Sequence, residues 1–253
     1  MEDVLTVERR DRILVLTMSR PQVRNAIDQA LASAIAFAMD ELDADDELSV
    51  AVLTGAGGTF CSGMDLKAFA RGERVTTHRG FGGITQRPPE KPVVAAVEGW
   101  ALAGGCEIAL ACDLVVAAQG AQFGIPEVKR GLVAAAGGLS RLPLALPYQL
   151  AMELALTGEP ISAERAHSFG MVNRLVQPGR ALDEALVLAG AIATNGPLAV
   201  RTSKWIMATA TGWGDDEIWE RQQAKVAAIM TSHDATEGAT AFAEKRTPHW
   251  TGR

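Results

Sequence analysis

The sequence predicts an α/β fold, because short apolar strands recur along the chain with glycine-rich turns and helices between them. Three runs, at 49–54, 91–98 and 114–118, have the length and the valine and alanine content of strands that are buried on both faces. A glycine-rich stretch follows the first run, and a helix predicted at 104–112 begins with a glycine pair. In folds built from such units, binding sites lie at the strand ends.

Two further elements precede these units. Residues 4–8 and 13–17 are strand-like and flank a charged turn, which predicts a β-hairpin. Asp28 is a typical helix N-cap, and apolar residues recur after it at helical spacing, so we expect a helix over 29–43.

The chain changes character after about residue 147, where strands nearly stop and helical patterns follow one another between glycines and prolines. This change predicts a helical appendage to the α/β core and not a second full domain. The predicted helices lie at 148–157, 162–168, 181–195, 197–210 and 215–245.

Segment 71–90 is polar, rich in glycine and without clear periodicity. Two interpretations stay open for it. It is either a mobile loop or lid beside a site, or an ordinary surface loop.

Composition excludes several classes of function. Of the 253 residues, 48% are apolar and 21% are charged, and the net charge of −6 comes without a basic block, so we expect no nucleic-acid partner. The three cysteines have neither zinc-site nor disulfide spacing, which predicts no metal site and reduced thiols. The start of the chain is acidic, and no uncharged apolar stretch reaches membrane-spanning length. We therefore expect a cytoplasmic protein without a membrane partner.

The most informative residues are two glutamates, Glu107 and Glu127. Glu107 lies just after the glycine pair that opens the helix at 104–112, and Glu127 ends a short extended run. Two carboxylates that converge beside bare backbone N–H groups are suited to moving protons around a polarised carbonyl compound.

Two glycine-flanked loops supply candidate N–H donors. Gly63 follows a buried strand and lets the N–H of Met64 point into a cleft, and the helix start supplies the N–H of Gly104. Either loop alone is explained as an ordinary turn. Two such donors that meet at one oxygen form an oxyanion hole.

The sequence around these residues resembles the enoyl-CoA hydratase/isomerase (crotonase) family. The similarity is carried by residues 96–132, AVEGWALAGGCEIALACDLVVAAQGAQFGIPEVKRGL, with TFCSGMDLK upstream and LAMELALTGEPISAERAHSFGMVNRLV downstream. RNAID near the N-terminus and EGATAFAEKR near the C-terminus are similar to further landmarks of that family, so the resemblance covers nearly the whole chain.

The resemblance implies a crotonase-like ββα spiral core over 1–195 and a C-terminal helical trimerisation region over 196–253. It implies a homotrimer or a dimer of trimers that binds an acyl-CoA thioester. No cofactor is implied, because coenzyme A is part of the substrate. Residue by residue, the oxyanion hole falls on the N–H groups of Met64 and Gly104, and the two carboxylates that handle water fall on Glu107 and Glu127.

Three residues are expected to bind the coenzyme A portion. Lys67 and Lys245 match lysines that contact the nucleotide in the family, the second often in a neighbouring subunit, and Ser62 lies in the hole-forming turn. A solvated surface lysine is the alternative interpretation for either lysine.

The sequence departs from the family pattern at two places. Gly58 stands where many members have a lysine, and VAAAGGLSRLP keeps Gly137, Gly138 and Arg141 but lacks the usual proline and the Thr-Gln pair. This variant is similar to carnitinyl-CoA dehydratase-type members, so the acyl group stays open.

The residues also predict a division of labour between the two acids. Glu107 lies in the first turn of its helix, where the helix dipole favours the charged carboxylate, so it is expected to activate water. Glu127 lies between a proline and a valine, and burial would raise its pKa, so it is expected to donate the proton to the α-carbon.

The predicted activity is that of an enoyl-CoA hydratase, which adds water reversibly and syn across the 2,3 double bond of a 2-enoyl-CoA. The alternatives are another reaction of the same family, either a carnitinyl-CoA-type dehydration or an enoyl-CoA isomerisation, and a non-catalytic assembly or RNA-binding member.

Overall fold

A computed structural model of the protein describes residues 4–253. Residues 1–3, which belong to the predicted core and to the acidic start of the chain, lie outside the described residues. The strands are β1 (Leu5–Arg10), β2 (Ile13–Met18), β3 (Val50–Gly55), β4 (Thr76–Thr77), β5 (Gly80–Phe81), β6 (Val93–Val97), β7 (Trp100–Leu102), β8 (Leu114–Ala118), β9 (Gln122–Gly124), β10 (Ile161–Ser162) and β11 (Arg174–Val176).

The helices confirm the predicted α/β class. They are α1 (Gln29–Ala44), α2 (Leu66–Ala70), α3 (Gly104–Ala111), α4 (Gly138–Ala145), α5 (Tyr148–Thr157), α6 (Ala163–Ser168), α7 (Ala181–Ala193), α8 (Pro197–Thr209), α9 (Asp215–Met230) and α10 (His233–Glu244). Short 3₁₀ helices cover Pro21–Val23, Pro126–Arg130 and Ala210–Gly212.

The main sheet has six strands in the order β1-β2-β3-β6-β8-β11. The predicted hairpin is confirmed, since β1 and β2 pair antiparallel from Leu5 opposite Met18 to Arg10 opposite Ile13. The remaining neighbours pair in parallel. The three apolar runs of the sequence form the central strands β3, β6 and β8, within one or two residues of their predicted bounds.

Both faces of this sheet are covered, which explains why its central strands are apolar throughout. Alternate residues such as Val52 and Val94 pack against α7, whose buried side comprises Ala181, Ala185 and Ala189. The other face packs against α1 and α3 within the larger core. Small alanines on α7 allow the helix to lie close to the sheet.

A second, three-stranded sheet in the order β10-β9-β7 was not predicted, because its strands are only two or three residues long. Single bridges extend this sheet, one between Cys61 and Ala101 and one between Ile27 and Met64. Cys61 N–H donates to the carbonyl of Trp100 at 2.9 Å, and Leu102 N–H donates to the carbonyl of Cys61 at 3.0 Å. The loop after β3 is therefore held beside the start of α3.

Segment 71–90 is an anchored wall and not an ordinary surface loop. It contains the ribbon β4–β5. The Arg79 side chain is 4% exposed and pairs with Asp40 at 2.8 Å and with Asp43 at 2.9 Å, both on α1. The buried residues of the segment are Val75, Arg79, Gly80, Gly82, Gly83, Ile84, Thr85 and Pro89.

The predicted helix at 215–245 is wrong as a single helix. It divides into α9 and α10, because the hydroxyl of Ser232 accepts a hydrogen bond from Ala235 N–H at 3.0 Å and caps a new helix. The other C-terminal helices are confirmed within two residues of their predicted bounds. None of the helices formed by residues 4–253 combines the length and apolar character needed to cross a membrane.

Candidate active site

A single cavity of about 520 Å³ collects most of the residues that the sequence singles out. Met64, Gly104, Glu107, Glu127 and Ser62 all line it. They come from separate parts of the chain: the loop before α2, the start of α3 and the 3₁₀ helix Pro126–Arg130. The cavity lies where the second sheet meets the helices that follow the central strands.

The two candidate N–H donors are brought together by a close approach of their loops. A Cβ atom added at Gly63 would lie 2.7 Å from the Cβ of Ala103 and 3.1 Å from the backbone nitrogen of Gly104. Gly63 has φ 98°, a conformation that favours glycine. The Gly104 N–H begins α3, so it has no helical partner and is free to bind an oxygen in the cavity.

The start of α3 has no room for side chains. A Cβ at Gly104 would lie 2.3 Å from the ring of Phe81, and a Cβ at Gly105 would lie 2.1 Å from the carbonyl oxygen of Cys61. Ala103 itself has φ 52° and ψ −130°, a strained backbone for a residue with a side chain. Such strain is typical of positions where the backbone itself is functional.

Glu107 is held by backbone donors. Its side chain is 3% exposed, and Oε1 accepts hydrogen bonds from Ala136 N–H at 2.7 Å and from Gly138 N–H at 2.9 Å. Burial raises the pKa of the Glu107 carboxyl, while the two N–H groups and the charge of Arg141 act in the opposite direction. The carboxyl is therefore fixed in orientation and easier to protonate than an exposed glutamate.

Glu127 is the less constrained of the two acids. It is the second residue of the 3₁₀ helix Pro126–Arg130, and its Oε2 is buried without a hydrogen-bond partner among the described residues. Burial raises the pKa of the Glu127 carboxyl, and the charge of Glu107 adds to this effect. The raised pKa agrees in direction with the sequence-based expectation.

The expected electrostatics of Glu107 need a correction. The residue does lie in the first turn of α3, but the helix dipole does not decide its pKa. Desolvation is the largest effect and raises the pKa, since the side chain lies between α3 and the turn before α4. The backbone N–H groups of that turn favour the carboxylate and partly offset the burial.

The turn at 136–138 was missed as part of the site. The sequence contains a signal for it, because Gly137-Gly138 precedes α4 as Gly104-Gly105 opens α3, and such helix starts bind anions. The anion held here is the carboxylate of Glu107. A Cβ at Gly138 would lie 3.1 Å from Oε1 of Glu107, so glycine allows the close approach.

The rest of the cavity wall is largely apolar, with two cations. Arg24 lies 4.6 Å from the ring centre of Trp100, and Arg130 acts on the charge of Glu127. Among the cavity-lining residues within 4–253, the only carboxylates are Glu107 and Glu127. The apolar lining side chains include Leu66, Phe69, Val75, Phe81, Leu102, Leu132 and Val133.

The two predicted lysines are not part of the cavity wall. Lys67 is exposed on α2, between the lining residues Leu66 and Phe69. Lys245 is exposed and ends α10 with φ 55°. The structure thus places Lys67 at the rim and leaves Lys245 outside the cavity of its own chain.

No group of three or more histidine, cysteine, aspartate or glutamate side chains is arranged to hold a metal ion within the part of the chain that the structure describes.

Comparison with known proteins agrees with this geometry. The family model of Enoyl-CoA hydratase/isomerase matches residues 8–253. The chain is 40% identical to enoyl-CoA hydratase EchA19 of Mycobacterium tuberculosis, over 98% of this chain and 96% of that protein. It is 41% identical to carnitinyl-CoA dehydratase of Salmonella arizonae, over 100% of both chains.

Solved structures give the same result. The crystal structure of enoyl-CoA hydratase EchA1 from Mycobacterium marinum is 59% identical, covers 100% of both chains and has a TM-score of 0.98. The structure of carnitinyl-CoA hydratase from Mycobacterium avium is 44% identical, covers 100% of both chains and has a TM-score of 0.80. These similarities confirm the crotonase-like fold that the resemblance implied. The chain belongs to the enoyl-CoA hydratase/isomerase family.

Proposed function

We propose that the protein is an enoyl-CoA hydratase, which adds water across the 2,3 double bond of a 2-enoyl-CoA thioester and catalyses the reverse dehydration. The observation that carries this proposal is the single cavity that Met64, Gly104, Glu107 and Glu127 line together. Two backbone donors and two acids are the parts that this addition needs.

The oxyanion hole acts on the thioester carbonyl. When water attacks C3, the π electrons of the double bond move toward the carbonyl, and negative charge develops on its oxygen. The N–H groups of Met64 and Gly104 donate to that oxygen. Donors that are fixed before the reaction stabilise this charge without reorganisation, and losing one typically costs about 3–4 kcal/mol.

The two acids move the protons of the water. The Glu107 carboxylate takes a proton from water as the C3–O bond forms, because its Oε1 is held by two N–H groups that favour the charged form. The protonated Glu127 carboxyl delivers its proton to C2 of the enolate, which regenerates the thioester carbonyl. A proton then passes from Glu107 to Glu127 and restores both acids for the next turnover. Since the pKa values of both acids are raised and the charge of Glu107 contributes to the shift of Glu127, we treat them as a coupled pair.

No cofactor takes part in the proposed reaction, because coenzyme A enters as part of the substrate. The three free, buried thiols Cys61, Cys106 and Cys112 fit a reducing compartment, and we place the protein in the cytoplasm.

The activity is tested by the hydration of crotonyl-CoA, which is monitored as the loss of enoyl thioester absorbance. Glu107→Gln and Glu127→Gln should each lower kcat by about 10²- to 10⁴-fold, the usual contribution of a positioned acid or base. Glu41→Gln, an exposed glutamate on α1, is the matched control and should keep full activity. Full activity in either cavity variant would refute the assignment.

A carnitinyl-CoA-type dehydration is the second candidate, favoured by the 41% identity to the Salmonella arizonae protein. A quaternary ammonium at the end of the acyl chain would benefit from a carboxylate or an open aromatic face. Glu107 and Glu127 are the only lining carboxylates among the described residues, and Arg24 already covers Trp100. We therefore favour an uncharged acyl group. Turnover of an enoyl-CoA with and without a terminal quaternary ammonium separates the two candidates.

The C-terminal helices support a homotrimer or a dimer of trimers. Large apolar side chains are exposed on α8, α9 and α10, and a surface of this kind usually packs against another protein. In such an assembly, Lys245 of one subunit would reach the coenzyme A portion bound to a neighbour, while Lys67 and Ser62 contact it within the same chain. The exposed side chains are Met207, Trp219, Val226, Met230 and Phe242.

A further inference from the structure

Arg141 on α4 donates hydrogen bonds to two backbone segments beside the cavity that are distant in sequence. Its Nη2 donates to the carbonyl oxygen of Thr85 at 2.7 Å. Its Nη1 lies 3.5 Å from the carbonyl oxygen of Ala136 and donates to it. Thr85 belongs to the wall segment 71–90, and Ala136 belongs to the turn before α4. The guanidinium therefore ties that turn to the wall segment.

The same turn holds Glu107. Ala136 and Gly138 both donate their N–H groups to Oε1 of Glu107. Gly137 between them has φ 105°, and a Cβ at this position would lie 2.0 Å from Nη1 of Arg141. The turn thus has a glycine where the guanidinium needs space. The side chain of Arg141 packs against the backbone that orients the Glu107 carboxylate.

The charge of Arg141 also acts on Glu107. Burial lowers the pKa of the Arg141 guanidinium, and Glu107 is the first among the acidic groups that oppose this effect. In turn, Arg141 is the charged side chain that favours the Glu107 carboxylate. Several titratable or charged groups interact electrostatically with Glu107 or with a residue that does so. They are Glu127, Arg130, Arg141, Cys106 and Cys112.

Of these groups, only Arg141 supplies a positive charge directly to Glu107. Burial raises the pKa of the Cys106 thiol to about 12 and raises that of Cys112 further, so both thiols are neutral during turnover. Arg130 acts on Glu127 instead: its charge lowers the pKa of Glu127, whereas the charge of Glu107 raises it.

We propose that Arg141 is a positioning residue for Glu107: its hydrogen bonds fix the turn whose N–H groups orient the carboxylate that accepts the water proton. The inference rests on the proposed hydration and assigns a role to a residue outside the four-part site. Arg141 does not line the cavity, and it acts on Glu107 through the backbone of Ala136 and through its positive charge.

The test compares Arg141→Met and Arg141→Lys with the wild-type protein. In the methionine variant, kcat should fall about 10- to 100-fold, because small displacements of a catalytic group have effects of this size. KM should change less than about threefold, since Arg141 does not line the cavity. The acidic limb of the kcat profile should move to higher pH, because removing a cation raises the pKa of Glu107.

Arg141→Lys separates charge from geometry. Lysine keeps the positive charge but cannot bond both carbonyl oxygens in a fixed plane. We expect the acidic limb to stay near its wild-type position while kcat falls. Arg12→Met is the matched control, because Arg12 also donates to a backbone carbonyl, that of Asp46, at the opposite end of the sheet. It should leave kcat and the acidic limb unchanged.

A direct titration of Glu107 makes the test independent of turnover. The side-chain carboxyl carbon is labelled with ¹³C and assigned by its loss in Glu107→Gln. Arg141→Met should raise the pKa of this carboxyl, and an unchanged pKa together with an unchanged kcat overturns the inference. A wild-type protein without hydratase activity would refute the proposed function instead. If the methionine variant does not fold, Arg141→Lys decides: unaltered kcat overturns the inference, and reduced kcat with unaltered KM supports it.

Discussion

The α/β core and the C-terminal helices differ in how many of their residues are buried within the chain. Strands β3 and β6 are buried along nearly their whole length, and the cavity among the core elements is lined by residues between 24 and 136. Helix α8, in contrast, has no fully buried residue, and α10 buries only Asp234 and Ala241. The core therefore buries its central strands within the chain, although side chains such as Phe37 stay exposed, whereas the C-terminal helices α8 and α10 bury few of their residues.

The difference indicates a division of labour. A cavity with strained and closely packed backbone needs a rigid surround, and the core supplies it from its own residues. Apolar helix surfaces that remain exposed gain stability only when a partner covers them, so the helical region is suited to assembly. The contact between the two regions is polar where Lys204 of α8 pairs with Asp113 at 2.7 Å.

The strongest test of the core is the substitution Gly104→Ala. The added methyl would lie 2.3 Å from the Phe81 ring, so the start of α3 or the ring must move. The N–H of residue 104 would then leave its position in the proposed oxyanion hole. We expect kcat to fall about 10²- to 10³-fold in the crotonyl-CoA assay, the effect of losing one such donor.

Gly190→Ala is the control for this change. Gly190 lies within α7, where an added Cβ meets nothing within 4 Å. The substitution should leave activity intact and stabilise the protein by about 0.5–1 kcal/mol, measured by denaturant unfolding. Equal activity losses in both variants would show that the cavity does not depend on its tight backbone.

The helical region is tested by Phe242→Glu. Phe242 is 88% exposed in the single chain, and burying a phenylalanine side chain contributes about 1.5–3 kcal/mol. A charge at this position should shift the mass measured by light scattering from that of the proposed trimer or hexamer to that of smaller species. Phe37→Glu is the control: this phenylalanine is also exposed, at 64%, but it lies on core helix α1. Loss of assembly in the control alone would contradict the assignment.

The burial of Glu107 lowers the stability of the folded core at neutral pH, and Glu107→Gln should reveal this effect. An unfolded glutamate has a pKa of about 4.3, and burial raises the pKa of Glu107 in the folded protein. The folded state therefore loses stability as the pH rises from that value through the raised pKa, and glutamine avoids this loss. Each kcal/mol recovered raises the Tm by about 2–4 °C in a chain of this size.

Thermal melts at a series of pH values measure this effect. The Tm advantage of Glu107→Gln should be small below about pH 4.3, where the carboxyl is largely protonated in both states, and should grow toward neutral pH. A constant Tm difference across the whole range would contradict the raised pKa.

Most of the core and its acids could be predicted from the sequence, because long apolar strands and glycine-flanked loops leave strong local signals. The three strands at the centre of the sheet were identified within one or two residues. The short strands of the second sheet were missed, since pairing such as that of Gln122 with Ser162 depends on distant partners. The joint between α9 and α10 was missed because Ser232 lies in a helical pattern and its capping role appears only in the structure.

The site was predictable as far as its parts are local. Glu107 and Gly104 share one motif, but the donors that hold Glu107 come from residue 136 and beyond, and no local pattern connects them. The buried state of Glu107 was missed for the same reason, because desolvation depends on what packs across a helix. Segment 71–90 became interpretable only through Arg79, which contacts α1 some 40 residues away in sequence.

Lys245 offers the test with the smallest expected effect, because its proposed role depends on both the α/β core and the C-terminal helices. The residue does not line the cavity of its own chain, so we expect its contact with coenzyme A to be made across a subunit boundary. Lys245→Ala should raise KM by about two- to fivefold, the scale of one exposed charge contact, and leave kcat unchanged. The KM difference should shrink as salt is added, since exposed charges are screened.

The same substitution in the Phe242→Glu background completes the argument as a double-mutant cycle. If Lys245 acts across the subunit boundary, disassembly already removes its contact, and Lys245→Ala then changes KM no further. If it acts within its own chain, the two effects on KM multiply. Multiplicative effects would assign Lys245 to the core of its own subunit and would leave the exposed helices with assembly as their only role.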